Sequence, residues 1–225
     1  MGGTPSRNTW GMAVVILMTG AVVAGAIFVS RSAGYLKAQV NIPDEPQGQL
    51  AVAVTQERDA EQPPLIVWYT DLNCEFCRYF YHEVWLPVQE KYVKTNQVMA
   101  EARLFPIGKL YGEESDHVDL AYCLEEQGKF DEVLRLAFPE SQLPSMSRLR
   151  EQIVGLAADG AALAKCMEDQ AGRVRAGQVS RTAVQIGVAK VPAMQIGETL
   201  YEDINTFAQA DELIDKALAK RRGYE

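Results

Sequence analysis

Two cysteines two residues apart, Cys74 and Cys77, lie in the stretch Tyr69-Thr70-Asp71-Leu72-Asn73-Cys74-Glu75-Phe76-Cys77. Thiols at this spacing can close into a disulfide and be reopened by an attacking thiolate, which is the chemistry of disulfide exchange. The apolar β-type run Leu65-Ile66-Val67-Trp68-Tyr69 precedes them, and a helical pattern over 78–94 follows. The pair therefore sits where a strand hands over to a helix, and a helix N-terminus favours a thiolate over a thiol. Cys74 is expected to be the nucleophile and Cys77, a turn further in, the resolving thiol. The opposing structural reading is a static disulfide or two buried thiols.

The dipeptide between the sulfurs, Glu75-Phe76, is expected to tune the pair. A carboxylate beside Cys74 opposes its ionisation and makes the couple a weaker oxidant. If Glu75 points to solvent, screening reduces that effect. The other two cysteines, Cys123 and Cys166, are far apart in the chain. A four-thiolate zinc site prefers two close pairs, so neither a metal nor a cofactor is expected. In an oxidising compartment Cys123 and Cys166 are expected to form a structural disulfide, with two buried free thiols as the alternative. His82 is expected to be a surface or satisfied residue rather than a catalyst, His117 has no partner motif, and Asp71 is expected to cap the turn, with orienting the loop as the alternative.

These residues must be held by the elements around them. A second apolar run, 98–105, ends at Pro106 and completes a strand–helix–strand unit, so its two strands should be parallel. Pro87 is expected to kink or break the helix between them. From 111 to 186 the pattern is helical, with candidates at 116–127, 130–137, 146–158, 161–169 and 173–186. Strands return at 188–191 and 193–196, and Gly197-Glu198 marks a hairpin turn into 199–201. A last helix spans 206–220, with Asn205 or Thr206 as its cap and Leu213, Ile214, Ala217 and Leu218 as its apolar stripe.

The 225-residue chain has 48% apolar and 23% charged residues, ordinary for a globular protein, and its formal charge of −8 argues against nucleic acid as a partner. No charged residue occurs between Arg7 and Arg31, and Trp10 to Val29 is almost wholly apolar. About 20 such residues make about 30 Å of helix, enough to cross a bilayer core. The expected organisation is a short tail at 1–9, a transmembrane helix at 10–30 in contact with the lipid bilayer, and a proline-punctuated linker at 31–63. The α/β domain then divides into a first half at 64–108, an all-helical insertion at 109–186 and a second half at 187–225. A cleaved signal peptide is the competing reading of the N-terminus.

The whole pattern now resembles a known family. Tyr69-Thr70-Asp71-Leu72-Asn73-Cys74-Glu75-Phe76-Cys77-Arg78 is similar to the active-site signature of DsbA-like thiol–disulfide oxidoreductases. Further along, Arg103-Leu104-Phe105-Pro106 resembles that family's second-strand ending, Glu126-Gln127-Gly128-Lys129-Phe130 and Cys166-Met167 its insertion, and Gly187-Val188-Ala189-Lys190-Val191-Pro192-Ala193 its cis-proline loop. The resemblance implies a thioredoxin fold with a helical insertion, and a cis-proline loop at Val191 and Pro192 that faces the cysteines and pairs with substrate backbone. The chain departs from the family where Glu75 replaces the usual proline after the first cysteine, and where Val191 precedes the loop proline. The resemblance does not reach the first 60 residues; joined to the apolar segment at 10–30 and to the oxidising chemistry, it leads to the expectation of an oxidoreductase anchored in the inner or cytoplasmic membrane, its C-terminal domain extracytoplasmic (periplasmic). Its partners would be cysteine-containing exported proteins and a membrane or soluble redox partner that recycles the pair. From another class comes the alternative of a thioredoxin-fold accessory subunit in a membrane protein complex.

Overall fold

The computed structural model describes residues 62–107 and 116–223, all within one unit of the chain, Val54–Glu225. The expected span at 10–30 and most of the linker lie outside the described residues. Among the described residues, no helix is long and apolar enough to cross a membrane.

Four strands, β1 (Leu65–Thr70), β2 (Met99–Leu104), β3 (Ala193–Ile196) and β4 (Thr199–Tyr201), form one sheet in the order β2-β1-β3-β4. β1 pairs parallel with β2, from Leu65 opposite Met99 to Thr70 opposite Leu104. It pairs antiparallel with β3, with Tyr69 opposite Ala193, and β3 pairs antiparallel with β4. β1 reads as an unbroken apolar run because both its faces are covered. Ile66 and Trp68 enter one core, Val67 and Tyr69 the other.

The helix after the cysteine turn, α1, covers residues 75–93. It runs α-helical over Glu75–Phe80, π-helical over Tyr81–Trp85, α-helical over Leu86–Val88 and π-helical over Gln89–Val93. Of the kink or break expected at Pro87, the break does not occur, and the helix is distorted there without ending. The backbone absorbs the proline by widening into π turns on either side, with the Leu86 N–H donating to the Tyr81 carbonyl five residues back. The buried face of α1 carries Cys77, Phe80, Tyr81, Val84, Trp85, Val88 and Tyr92. The rings of Phe80, Tyr81, Trp85 and Phe138 surround Trp68 at centroid distances of 5.2–6.0 Å.

The insertion comprises α2 (Asp116–Glu125), α3 (Phe130–Ala137), α4 (Met146–Gly155), α5 (Gly160–Glu168) and α6 (Ala171–Gln185). α2 is its centre, buried from Val118 to Leu124. Ser145 and Asp159 cap α4 and α5 through their side-chain oxygens. Cys123 on α2 and Cys166 on α5 are joined by a disulfide, and both are buried.

The strand expected at 188–191 is instead a loop. The donors that a ladder would use are turned aside: the N–H groups of Ala189 and Lys190 donate to Glu202 Oε1 at 2.8 and 3.1 Å. Beyond it, Gly197 takes a positive φ of 59° to make the β3–β4 turn. The last helix, α7 (Phe207–Arg221), starts from Thr206 in a reciprocal capping box with Gln209, and Asn205 lies one residue outside. α1 and α7 lie against one face of the sheet, and Ala183 of α6 joins the core on the other. The result is a mixed sheet flanked by helices, a thioredoxin-like fold interrupted by a helical insertion.

Candidate active site

Both cysteines of the first pair lie at the C-terminal end of β1. Asp71 shapes the turn that leads to them. Its Oδ1 accepts the Asn73 N–H at 2.9 Å, a local turn, and its Oδ2 accepts the Ile107 N–H at 2.9 Å, just past β2. Capping describes half of what Asp71 does. The other half ties the cysteine turn to the exit of the neighbouring strand.

Cys74 is the N-cap of α1, with extended backbone at φ −122° and ψ 113°. Its sulfur takes the place that an oxygen usually fills at this position: the Cys77 N–H donates to Cys74 Sγ at 3.0 Å. Its carbonyl accepts from the N–H groups of Cys77 and Arg78 at 3.1 and 3.0 Å. The two cysteines are disulfide-bonded, with Cα atoms 5.1 Å apart. They differ in access. Cys74 is half-buried and Cys77 is fully buried. A thiolate arriving from solvent therefore meets Cys74 first. When the bond opens, the Cys77 amide and the positive end of the helix already face the sulfur that must carry negative charge.

Glu75 lies between the two expectations set for it. Its side chain is 60% exposed, yet it does not stand alone, because Arg78 forms an ion pair with it. Arg78 Nε donates to Glu75 Oε1 at 2.8 Å, and a second guanidinium nitrogen makes a further contact with the same oxygen. The hydrogen bond that Arg78 donates to Glu75 holds the Arg78 pKa above its ordinary value. The third guanidinium nitrogen reaches the carbonyl of Glu140 at 2.9 Å, just beyond α3. The carboxylate beside Cys74 is thus compensated by a cation one turn along the same helix. Phe76 projects outward, 77% exposed, and Tyr79 is exposed one turn on. His82 fills a structural position, with Nε2 2.9 Å from the Phe138 carbonyl and its ring edge-on to Tyr81.

The Val191–Pro192 peptide bond is cis. Because Ala193 pairs with Tyr69 in an antiparallel ladder, Val191 and Pro192 leave the sheet at the same end as the cysteine turn. The fold therefore gathers Cys74, Glu75, Cys77, Val191 and Pro192 at one end of the sheet. Cys123 and Cys166 lie apart from it, inside the insertion. All four cysteines are in disulfides, so no four-thiolate cluster forms. Among the described residues, no group of three His, Cys, Asp or Glu side chains is placed to hold a metal ion.

Reasoning on the sequence missed Arg78 and Glu202. Arg78 had a local signal, since Glu75 and Arg78 are three apart on a helix and such pairs face each other. Glu202 had none, because its partners are a dozen residues upstream across a hairpin.

A redox-capable cysteine pair, half-exposed and half-buried at the start of a helix beside a cis-proline loop, defines the class of thiol–disulfide exchange proteins. The family model described as Thioredoxin matches residues 59–216, and the chain belongs to that family. The Cys74–Cys77 disulfide within this fold supports thiol–disulfide oxidoreductase activity. Solved structures share the fold at low identity. Wolbachia pipientis alpha-DsbA1 is 17% identical with a TM-score of 0.59, covering 79% of this chain and 99% of its own. A thioredoxin-like oxidoreductase from Silicibacter pomeroyi is 22% identical with a TM-score of 0.54, covering 70% of this chain and 87% of its own. Oxidised BdbD from Bacillus subtilis is 12% identical with a TM-score of 0.56, covering 70% of this chain and 89% of its own. No curated protein sequence matches the chain.

Proposed function

We propose that the protein is a membrane-anchored, extracytoplasmic thiol–disulfide oxidoreductase that exchanges disulfides with exported proteins through Cys74 and Cys77. One observation carries the chemistry: the half-exposed Cys74 sulfur caps the active-site helix and accepts the Cys77 amide at 3.0 Å. A substrate thiolate attacks Cys74 Sγ, a substrate–Cys74 disulfide forms, and Cys77 leaves with the electron pair and takes up a proton. A second substrate thiolate then attacks the substrate sulfur of the mixed disulfide. Substrate leaves oxidised by two electrons, and Cys74 is released as a thiolate in the field of the helix N-terminus. Val191 and Pro192, beside the pair, present backbone to an extended substrate segment. Glu75, balanced by Arg78, and Phe76 set the poise of the couple and the surface around it. Run in reverse, the same steps reduce a substrate disulfide, and a membrane or soluble partner resets the pair.

The anchor rests on the uncharged stretch between Arg7 and Arg31, and the extracytoplasmic side on the oxidising chemistry that stable disulfides require. The test combines location with turnover. In cells, the chain should fractionate with the inner or cytoplasmic membrane and resist alkaline extraction. Cys74→Ser should abolish exchange with a reduced, unfolded secreted protein, while Cys77→Ser should trap the mixed disulfide. A double cysteine variant with full cellular function would instead favour an accessory subunit of a membrane protein complex.

A further inference from the structure

We propose that Glu202 is a positioning residue for substrate binding: its carboxylate sets the backbone of the loop that carries Val191 and Pro192. Three observations combine. The successive N–H groups of Ala189 and Lys190, the two residues before Val191 and its cis bond to Pro192, both point at one oxygen, Glu202 Oε1, at 2.8 and 3.1 Å. The neighbouring residues add a second strut, with Lys190 Nζ donating to Asp203 Oδ1 at 2.6 Å, a pairing that raises the Lys190 pKa. Both carboxylates follow directly from β4, which is fixed to β3 and through it to β1, the strand that ends at the cysteine turn.

Val188 pins the start of the loop, buried in the core and donating its N–H to the Ala183 carbonyl at 2.9 Å, and the next two amides are held by Glu202. The loop replaces what the sequence pattern suggests should be strand, so no ladder supports Ala189 or Lys190. A single ionised oxygen that accepts two adjacent amides is a charge-assisted anchor and fixes the orientation of successive peptide planes. The adjoining surface cleft, whose lining includes Tyr201, Glu202, Asp203 and Glu212, has a volume of about 370 Å³. Its carboxylates are already engaged: Glu202 with the loop, Asp203 with Lys190 and Glu212 with Lys216. Glu202 therefore serves the loop. A substrate segment that pairs with the Val191 backbone meets a preformed edge, and the ordering cost of binding is lowered in advance.

This inference rests on the disulfide-exchange reading, and its test separates the two. The oxidised full-length protein is assayed with a reduced peptide that carries two cysteines in an extended segment, using glutathione disulfide to recycle the pair. Glu202→Ala should raise KM for the peptide about tenfold, with kcat within about twofold, because only preorganisation is lost. The midpoint potential of Cys74–Cys77 should match the parent. Glu202→Gln keeps an oxygen that can accept both amides but not its charge, and should recover part of the loss. Glu202→Asp keeps the charge but not the reach, and should behave like Glu202→Ala. Parental KM in both Glu202→Ala and Glu202→Asp would overturn the proposal, as would a change confined to kcat or to the potential. A parent protein that does not oxidise the peptide at all would instead overturn the exchange reading.

Discussion

At Cys74 a helix begins on sulfur, and what surrounds that sulfur decides how the pair behaves. The Cys77 amide and the helix N-terminus stabilise negative charge on it, Glu75 opposes that charge, and Arg78 offsets Glu75. Two substitutions should therefore move the couple in opposite directions. Arg78→Ala leaves the Glu75 carboxylate uncompensated, disfavours the reduced thiolate and makes the protein more reducing. Glu75→Gln frees the Arg78 cation and makes it more oxidising. Exposed pairs contribute about 0.2–1 kcal/mol, so each shift should be about 5–20 mV for a two-electron couple. Equilibration with glutathione at pH 7 measures both, and shifts of the same sign would defeat the electrostatic account. The spacing of Cys74 and Cys77, the strand before them and the helix after them were legible in the sequence because they are local. The compensation by Arg78 was within reach of an i,i+3 reading. The reach of Asp71 to Ile107 and of Glu202 to the 189–190 amides was not, since each depends on which chain segments become neighbours only after folding.

Among the elements, α1 carries the chemistry and must be held from both ends. Its far end is docked to α7. Tyr92 Oη donates to Asp211 Oδ1 and lies equally close to Asp215 Oδ1, both at 2.8 Å, and Lys91 Nζ contacts Asp211 Oδ1 at 2.5 Å. Burial and the two carboxylates push the Tyr92 hydroxyl up, and it stays protonated as a donor. The hydrogen bond from Lys91 depresses the Asp211 pKa, with the bond from Tyr92 acting in the same direction. A carboxylate whose folded pKa lies below its unfolded one stabilises the fold above the unfolded value, near pH 3.9, and loses that contribution as the pH falls through the folded value. Asp211→Asn should therefore cost about 0.5–1 kcal/mol at pH 7 and progressively less as the pH falls below about 4. Denaturation of both proteins across that range measures it; a gap that widens on acidification would contradict the assignment. In the insertion, Gly172 at the start of α6 lies so close to α2 that a Cβ there would fall 2.0 Å from the Asp119 carbonyl oxygen and 2.9 Å from Cys123 Sγ. Backbone cannot yield as a flexible side chain can, so Gly172→Ala should cost about 3 kcal/mol in urea unfolding. The helices of the insertion were readable from apolar periodicity and breakers. Two element-level readings were refined for identifiable reasons: at Pro87 the helix widens into π turns instead of ending, and Glu202 takes the amides that would have made a strand of 188–191.

Across the whole domain the two disulfides divide the work. Cys74–Cys77 lies at the end of a central strand with one sulfur accessible, and Cys123–Cys166 is buried where α2, α5 and α6 meet. The buried bridge links residues 43 positions apart, and by chain entropy its removal should cost about 4 kcal/mol. A Cys123→Ala/Cys166→Ala variant should unfold at correspondingly lower denaturant while the potential of the first pair stays close to the parent. A large shift in that potential would mean that the insertion sets the poise of the site. The division of labour is also the most direct test of the central claim. The full-length protein is equilibrated in glutathione buffers of graded potential, alkylated, and the cysteine peptides are weighed by mass spectrometry. Cys74 and Cys77 should interconvert reversibly between disulfide and dithiol as one two-electron couple, with Cys123–Cys166 oxidised throughout. A Cys74–Cys77 bond that stays closed wherever the buried bridge does, or that opens only together with it, would show a structural disulfide and contradict the account.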